Sequence, residues 1–156
     1  SLLKDECADI VMIFTGTNRH GYYKEIVNHV NNLGLKNQVI FLDKHIPDED
    51  LVGFYRHARA LMMPTFFGPT NIPPLEAMAN DCPVGVSGIY AMPEQLGKAA
   101  LFFDPKSEED IARVLKRLWC DDELCQRLIV NGREQTSSWG PHDFAERFKT
   151  ILCQVV

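Results

Sequence analysis

The residues best suited to chemistry lie in one short stretch, FFGPTNIPPLEAMAND, at positions 66–81. Its first half is built from Gly, Pro, Thr and Asn, and its second half sets a single carboxylate, Glu76, among Leu75, Ala77, Met78 and Ala79. Gly68 permits a positive φ or a close backbone approach, Asn71 is a favoured N-cap, and Pro73 and Pro74 are tolerated in a first helical turn. A tight turn aimed into a helix start offers free amides and the positive end of the helix dipole, which suit a phosphate. Thr70 can add a hydroxyl donor. Counted from an N-cap at Asn71, Glu76 falls in the second helical turn, where an unpaired buried carboxylate would be costly. Two vicinal hydroxyls of a ribose would satisfy one bidentate acceptor. Solvent, or a nearby Lys or Arg, would satisfy it as well, and spacing leaves both readings open.

Such a turn needs a strand ending behind it and a helix starting ahead of it, and the chain supplies that pattern repeatedly. Near-continuous apolar runs at 9–16, 38–42, 60–64, 83–87 and 100–104 read as strands, the first of them as a buried parallel strand ending at Gly16. Between them lie amphipathic helices. Tyr23, Ile26, Val27, Val30 and Leu33 share one face of a helix stopped by Gly34; Pro47 and three acids open another. Ser107 followed by three acids caps a helix with Ile111, Val114, Leu115 and Leu118 on one face. From 121 onward the spacing is helical, broken near 137–141, with Leu124, Leu128, Ile129, Phe144, Phe148 and Leu152 as a core or domain-packing stripe. Strand and helix alternation predicts an α/β fold with right-handed crossovers and a parallel sheet covered on both faces. Ligands in such sheets bind beyond the carboxyl ends of the strands, which selects the loops at 16–21, 43–47, 65–71 and 87–93.

The 156 residues suit one packed domain, and 46% hydrophobic with 24% charged residues is ordinary globular composition. A net charge of −5 with 16 scattered basic residues gives no footprint for a nucleic acid backbone. No apolar run approaches the length of a membrane span. The five cysteines are odd in number and form no C-x-x-C pair or metal-ligand cluster, which predicts free thiols in a reducing compartment, the cytoplasm, and no bound metal.

The stretch from Phe54 to Leu118 resembles the carboxy-terminal, nucleotide-binding domain of glycosyltransferase family 4 in the GT-B superfamily. The likeness runs over about 9–136 and is carried by the blocks MPT, PPLEAMA, CPV and PEQLGKAALFFDP in that order. It implies a Rossmann-like half of a GT-B fold. It also implies retaining transfer of a sugar from a nucleotide diphosphate donor to an acceptor in polysaccharide or glycoconjugate synthesis, with no metal. Residue by residue, it implies that Glu76 holds the donor ribose. Gly68, Thr70, Asn71 and Ile72 match the turn against the donor diphosphate and sugar, and Gly16 with Thr17 the turn near the phosphates. Lys44, His45 and Ile46 fall where the loop passes the nucleobase. Arg19 and Glu94 are secondary candidates, each with a plainer structural role available: Arg19 as a loop surface residue, Glu94 as an acid in a helix first turn. No catalytic residue is assigned.

Two departures stand out. The family commonly has a second acid eight positions before the ribose acid, where it contacts the donor sugar, and that position here is Gly68. Either the sugar is read by Thr70, Asn71 and backbone groups, the favoured reading, or transfer has been lost. The family's domain also begins one strand and helix earlier, with an Arg and a Lys that neutralise the leaving diphosphate. The expectation is therefore a carboxy-terminal fragment, without its amino-terminal acceptor domain and inactive alone, whose full-length form could touch a membrane peripherally. A stand-alone nucleotide-sugar-binding module, or another GT-B enzyme such as a sugar-nucleotide epimerase, is the alternative.

Overall fold

The computed structural model describes residues 1–16, 21–68, 70–137 and 141–155, and the side chains of all of these except 141–144, 147 and 155. The chain forms two compact units, Ser1–Phe54 and Tyr55–Val156.

In the first unit, β1 (Met12–Gly16) pairs in parallel with β2 (Val39–Asp43), from Met12 opposite Val39 to Gly16 opposite Asp43, and α1 (Tyr23–Asn32) lies between them in sequence. Helix α1 ends as its glycine predicts. Gly34 adopts φ +66°, its N–H donates to the Asn31 carbonyl, and the Leu35 N–H donates to Val30, closing a Schellman motif. Tyr23 packs edge-on against Phe41, which stacks on Phe14 across the ladder. The expectation that β1 is buried fails: Ile13 and Phe14 are each 44% exposed. A two-stranded ladder with one crossover helix of its own can cover only one face, so apolar composition is not enough to bury this strand.

Helix α2 (Asp48–His57) opens with Asp48, Glu49 and Asp50 in its first turn and closes with Arg56 and His57, each charge set favourably against the helix dipole. The second unit holds β3 (Leu61–Met63), α3 (Ile72–Ala79), β4 (Val84–Ser87), α4 (Met92–Leu96), a 3₁₀ turn at Gly97–Ala99, β5 (Ala100–Phe103), α5 (Glu108–Cys120), α6 (Asp122–Ser137) and α7 (Pro141–Val155). The strands form a parallel sheet in the order β3-β4-β5. Central β4 is buried throughout. A Cβ added at Gly85 would come within 2.7 Å of the Met62 Sδ and 3.0 Å of Val114, so the glycine lets α5 lie directly on the strand.

The Ser107 hydroxyl caps α5 by accepting from the Asp110 N–H, which turns Val114 and Leu118 onto the sheet. There they form one cluster with Phe103, Leu124, Cys125 and Leu128. Burying each such side chain contributes roughly 1.5–3 kcal/mol. Arg59 ties the cluster's edge by donating to the carbonyls of Leu118 and Trp119 at the end of α5, and it pairs with Asp122 at the start of α6. Helix α6 also crosses α3, where Gly132 sits so close to Met78 that an added Cβ would be 3.2 Å away. Beyond the crossing, Arg133 forks onto the Asp81 carboxylate at 2.6 and 2.8 Å. Of the α7 part of the predicted stripe, Phe148 and Leu152 are exposed, as is Ile151, so these residues are not core, while the side chain of Phe144 lies outside the described residues.

Candidate functional site

The turn between β3 and α3 is built by hydrogen bonds that its own sequence does not announce. Ser87, fully buried at the end of β4, accepts from the Thr65 N–H at 2.9 Å and so pins the chain as it leaves β3. The Thr65 hydroxyl accepts from the Phe67 N–H at 3.2 Å and donates to the Phe67 carbonyl at 2.5 Å, which curls the backbone toward Gly68. Gly68 adopts φ +126°, and a Cβ there would lie 3.0 Å from both carboxamide heavy atoms of Asn71. This is the geometric reason for glycine where an acid was expected: the backbone angle suits glycine alone, and the space a side chain would enter is filled by Asn71.

Asn71 occupies the N-cap position of α3 with extended backbone, as predicted, but its side chain makes no capping bond. Its carboxamide instead donates to the Met92 Sδ at 3.3 Å. The carboxamide of Gln95, on α4, takes both Asn71 backbone groups, accepting from the N–H at 3.2 Å and donating to the carbonyl at 3.1 Å. Gln135 on α6 in turn donates to the Gln95 carbonyl at 2.7 Å. The expected supply of free amides is therefore narrowed. Pro73 and Pro74 carry no N–H and Asn71 has given its own to Gln95, which leaves Ile72 as the first-turn donor. Ile72 and Thr70 are both exposed beside the turn.

Glu76 is half-buried in the second turn of α3, as counted from the sequence. Its side-chain partner is neither solvent alone nor a cation. The Tyr55 hydroxyl donates to Glu76 Oε2 at 3.2 Å. One turn further, Asn80 Nδ2 donates to the Glu76 carbonyl at 2.9 Å. Tyr55 is buried, and burial together with the neighbouring carboxylate pushes its phenol up to about 12, so it stays a donor through the neutral range. Oε1 and the remaining lone pairs of Glu76 are left for other donors. Phe67, 77% exposed, meets Tyr90, 65% exposed, edge-on at 6.3 Å, and these rings form an apolar rim at the same end of the sheet. Glu94 is exposed in the first turn of α4, where it complements the dipole, and has no part in the Gln95 clamp.

In the first unit, Gly16 closes β1 at φ +135° with open space where a Cβ would stand, and it bridges to Lys44 across the end of β2. The two loops chosen separately from sequence, one for phosphate and one for a base, are therefore neighbours. Lys44 and His45 are exposed and Ile46 is half-buried. Thr17 and Arg19 lie outside the described residues. Sequence reasoning missed Tyr55, Ser87 and Gln95. The one signal available was Tyr55, since a tyrosine on the apolar face of α2 needs a partner for its hydroxyl when buried. Cys82 packs as a small hydrophobe, and burial pushes its thiol up to about 11. Among the described residues no group of three or more His, Cys, Asp or Glu side chains is placed to hold a metal, and no helix is long and apolar enough to cross a membrane.

Among curated proteins, the O-antigen chain mannosyltransferase B of Escherichia coli is 33% identical over 97 residues, which is 61% of this chain and 26% of that protein. The chain thus spans about a quarter of that relative's length. Among solved structures, Anabaena HepE in complex with UDP superposes with a TM-score of 0.80 at 17% identity, over 93% of this chain and 41% of that one. The C-terminal domain of the glycosyl transferase group 1 family protein LpcC from Francisella tularensis superposes with a TM-score of 0.77 at 25% identity, over 88% and 73%. The α/β arrangement of parallel sheets is that of GT-B glycosyltransferases. A sequence model described as "Glycosyl transferases group 1" matches residues 1–135, a span that includes all four blocks from MPT to PEQLGKAALFFDP, and the chain belongs to that family.

Proposed function

We propose that this chain is the donor-binding part of a retaining glycosyltransferase, taking a nucleoside diphosphate sugar and serving polysaccharide or glycoconjugate synthesis in the cytoplasm without a metal. The observation that carries the reading is Glu76: a carboxylate held from one side by a neutral phenol, one helical turn behind a glycine-containing bend at the carboxyl end of β3. A ribose diol is the donor pair that such a half-spent acceptor suits. The Ile72 amide and the Thr70 hydroxyl, both on exposed residues beside that bend, are donors of the kind a diphosphate needs. Within the first unit, the Gly16 and Lys44 loops are neighbours of each other, which supports reading them together as a stretch suited to phosphate and base. HepE, similar in fold, is described in complex with UDP, and the O-antigen relative transfers mannose by name. A hexosyl donor, with mannosyl the first to try, follows from that relative.

Breaking the bond between sugar and phosphate builds negative charge on the leaving diphosphate, and preorganised amides and cations there lower the barrier by several kcal/mol. The Arg and Lys of that kind, and an acceptor domain, would come from the rest of a longer protein. This chain alone should therefore bind donor at weaker than about micromolar affinity and not transfer. Calorimetric titration with UDP, GDP, UDP-glucose and GDP-mannose, with chelator present, tests the reading. At least one should bind, and Glu76→Ala should abolish binding, with some loss of melting temperature because the buried Tyr55 hydroxyl loses its acceptor. Binding that survives Glu76→Ala would sink the assignment.

A further inference from the structure

We infer that Tyr55 is a positioning residue for the donor site: its hydroxyl anchors one oxygen of Glu76 so that the carboxylate is already turned for a ribose diol before ligand arrives. The inference rests on the reading of Glu76 as the ribose acceptor. It adds a residue from α2 that lies 21 positions upstream and outside every loop at the strand ends.

Three observations support it. Tyr55 is only 8% exposed although it comes from a helix with charged residues at both ends, so its ring is packed and its hydroxyl has a fixed place. That hydroxyl reaches Glu76 Oε2 at 3.2 Å, while Asn80 holds the Glu76 carbonyl at 2.9 Å, and side chain and backbone are thus fixed independently. The donor is also neutral. An arginine fork would occupy both carboxylate oxygens and cancel the charge. A phenol takes one lone pair and leaves the negative charge whole, with Oε1 open to hydroxyl donors. Holding a three-torsion side chain in its bound rotamer before binding removes an ordering cost that ligand would otherwise meet. A merely structural tyrosine could satisfy its hydroxyl on any carbonyl, whereas this one spends it on the single acid of α3.

The experiment compares the whole chain with Tyr55→Phe, titrating UDP or GDP, whichever binds, and the matching 2′,3′-dideoxynucleoside diphosphate. The parent protein should prefer the ribose form. Tyr55→Phe, which keeps the ring, should weaken ribose-ligand binding by about three- to tenfold, the worth of one hydrogen bond, and leave the dideoxy ligand unaffected. Equal weakening of both ligands would make Tyr55 a packing residue and overturn the inference, as would a Tyr55→Phe protein that keeps the full preference for ribose. A parent protein that binds both ligands equally would instead overturn the ribose reading of Glu76 and the inference with it. Should Tyr55→Phe melt early, the same pair of ligands titrated at a lower temperature, where the variant is still folded, carries the same test with the same outcomes.

Discussion

Placing an acid at position 68, where the family resemblance led us to expect one, should damage this site rather than improve it. Gly68 stands at φ +126°, and its missing Cβ would lie 3.0 Å from Asn71 Nδ2 and Oδ1. An L-residue held at such a φ costs about 1–3 kcal/mol. Pushing the Asn71 carboxamide aside forfeits its contact with the Met92 Sδ at 3.3 Å and disturbs the backbone that Gln95 clamps, roughly another 1 kcal/mol. The sum, about 2–4 kcal/mol, is a large share of the stability of an ordinary domain and corresponds to a fall in melting temperature of roughly 5–15 °C for a chain of this size. Gly68→Ala isolates the backbone and Cβ cost, and Gly68→Glu adds the acid. Both should melt early in differential scanning fluorimetry and bind nucleotide sugar more weakly in calorimetry. A Gly68→Glu protein that melts with the parent and binds donor more tightly would refute the argument, because it would show that the turn was free to accept the acid.

Gln95→Leu should release the backbone of Asn71, and hydrogen exchange at the Asn71 amide, followed by NMR, should quicken by about tenfold for the loss of a bond worth roughly 1 kcal/mol or more; unchanged exchange would mean the clamp does not hold the turn. Alkaline stability should also fall in two steps. Burial raises the Cys82 thiol from 9.0 to about 11 and the Tyr55 phenol from 10.0 to about 12, so ionisation is easier in the unfolded chain. Each group's contribution is fully present below its unfolded value and is lost as pH rises through the folded one, up to about 3 kcal/mol for a two-unit shift. Urea unfolding measured from pH 8 to 12 should show the decline, with Cys82→Ala flattening the part between pH 9 and 11 and Tyr55→Phe the part above pH 10. A flat profile in the parent protein counts against both.

The order and type of the elements were legible in the sequence because they are set by interactions over a few residues. The Gly34 stop closes a helix through its own φ, Ser107 caps through the amide three positions on, and the acids after Pro47 meet the dipole of their own first turn. The turn before α3 and the place of Glu76 in its second turn were legible for the same reason, and the family was legible because several blocks agree in order.

What the tertiary structure decided is who meets whom. Tyr55 finds Glu76 across 21 residues, Gln95 finds Asn71 across 24, and Gln135 finds Gln95 across 40. Nothing in local spacing encodes those pairings, which arise only once the folded chain brings distant residues together. Burial was likewise undecided: β1 has the composition of an inner strand, yet Phe14 is exposed because only its surroundings can cover it. Gly68 joins the two kinds of information. The residue type is written in the chain, but its reason, a positive φ beside the carboxamide of Asn71, exists only once the turn has closed.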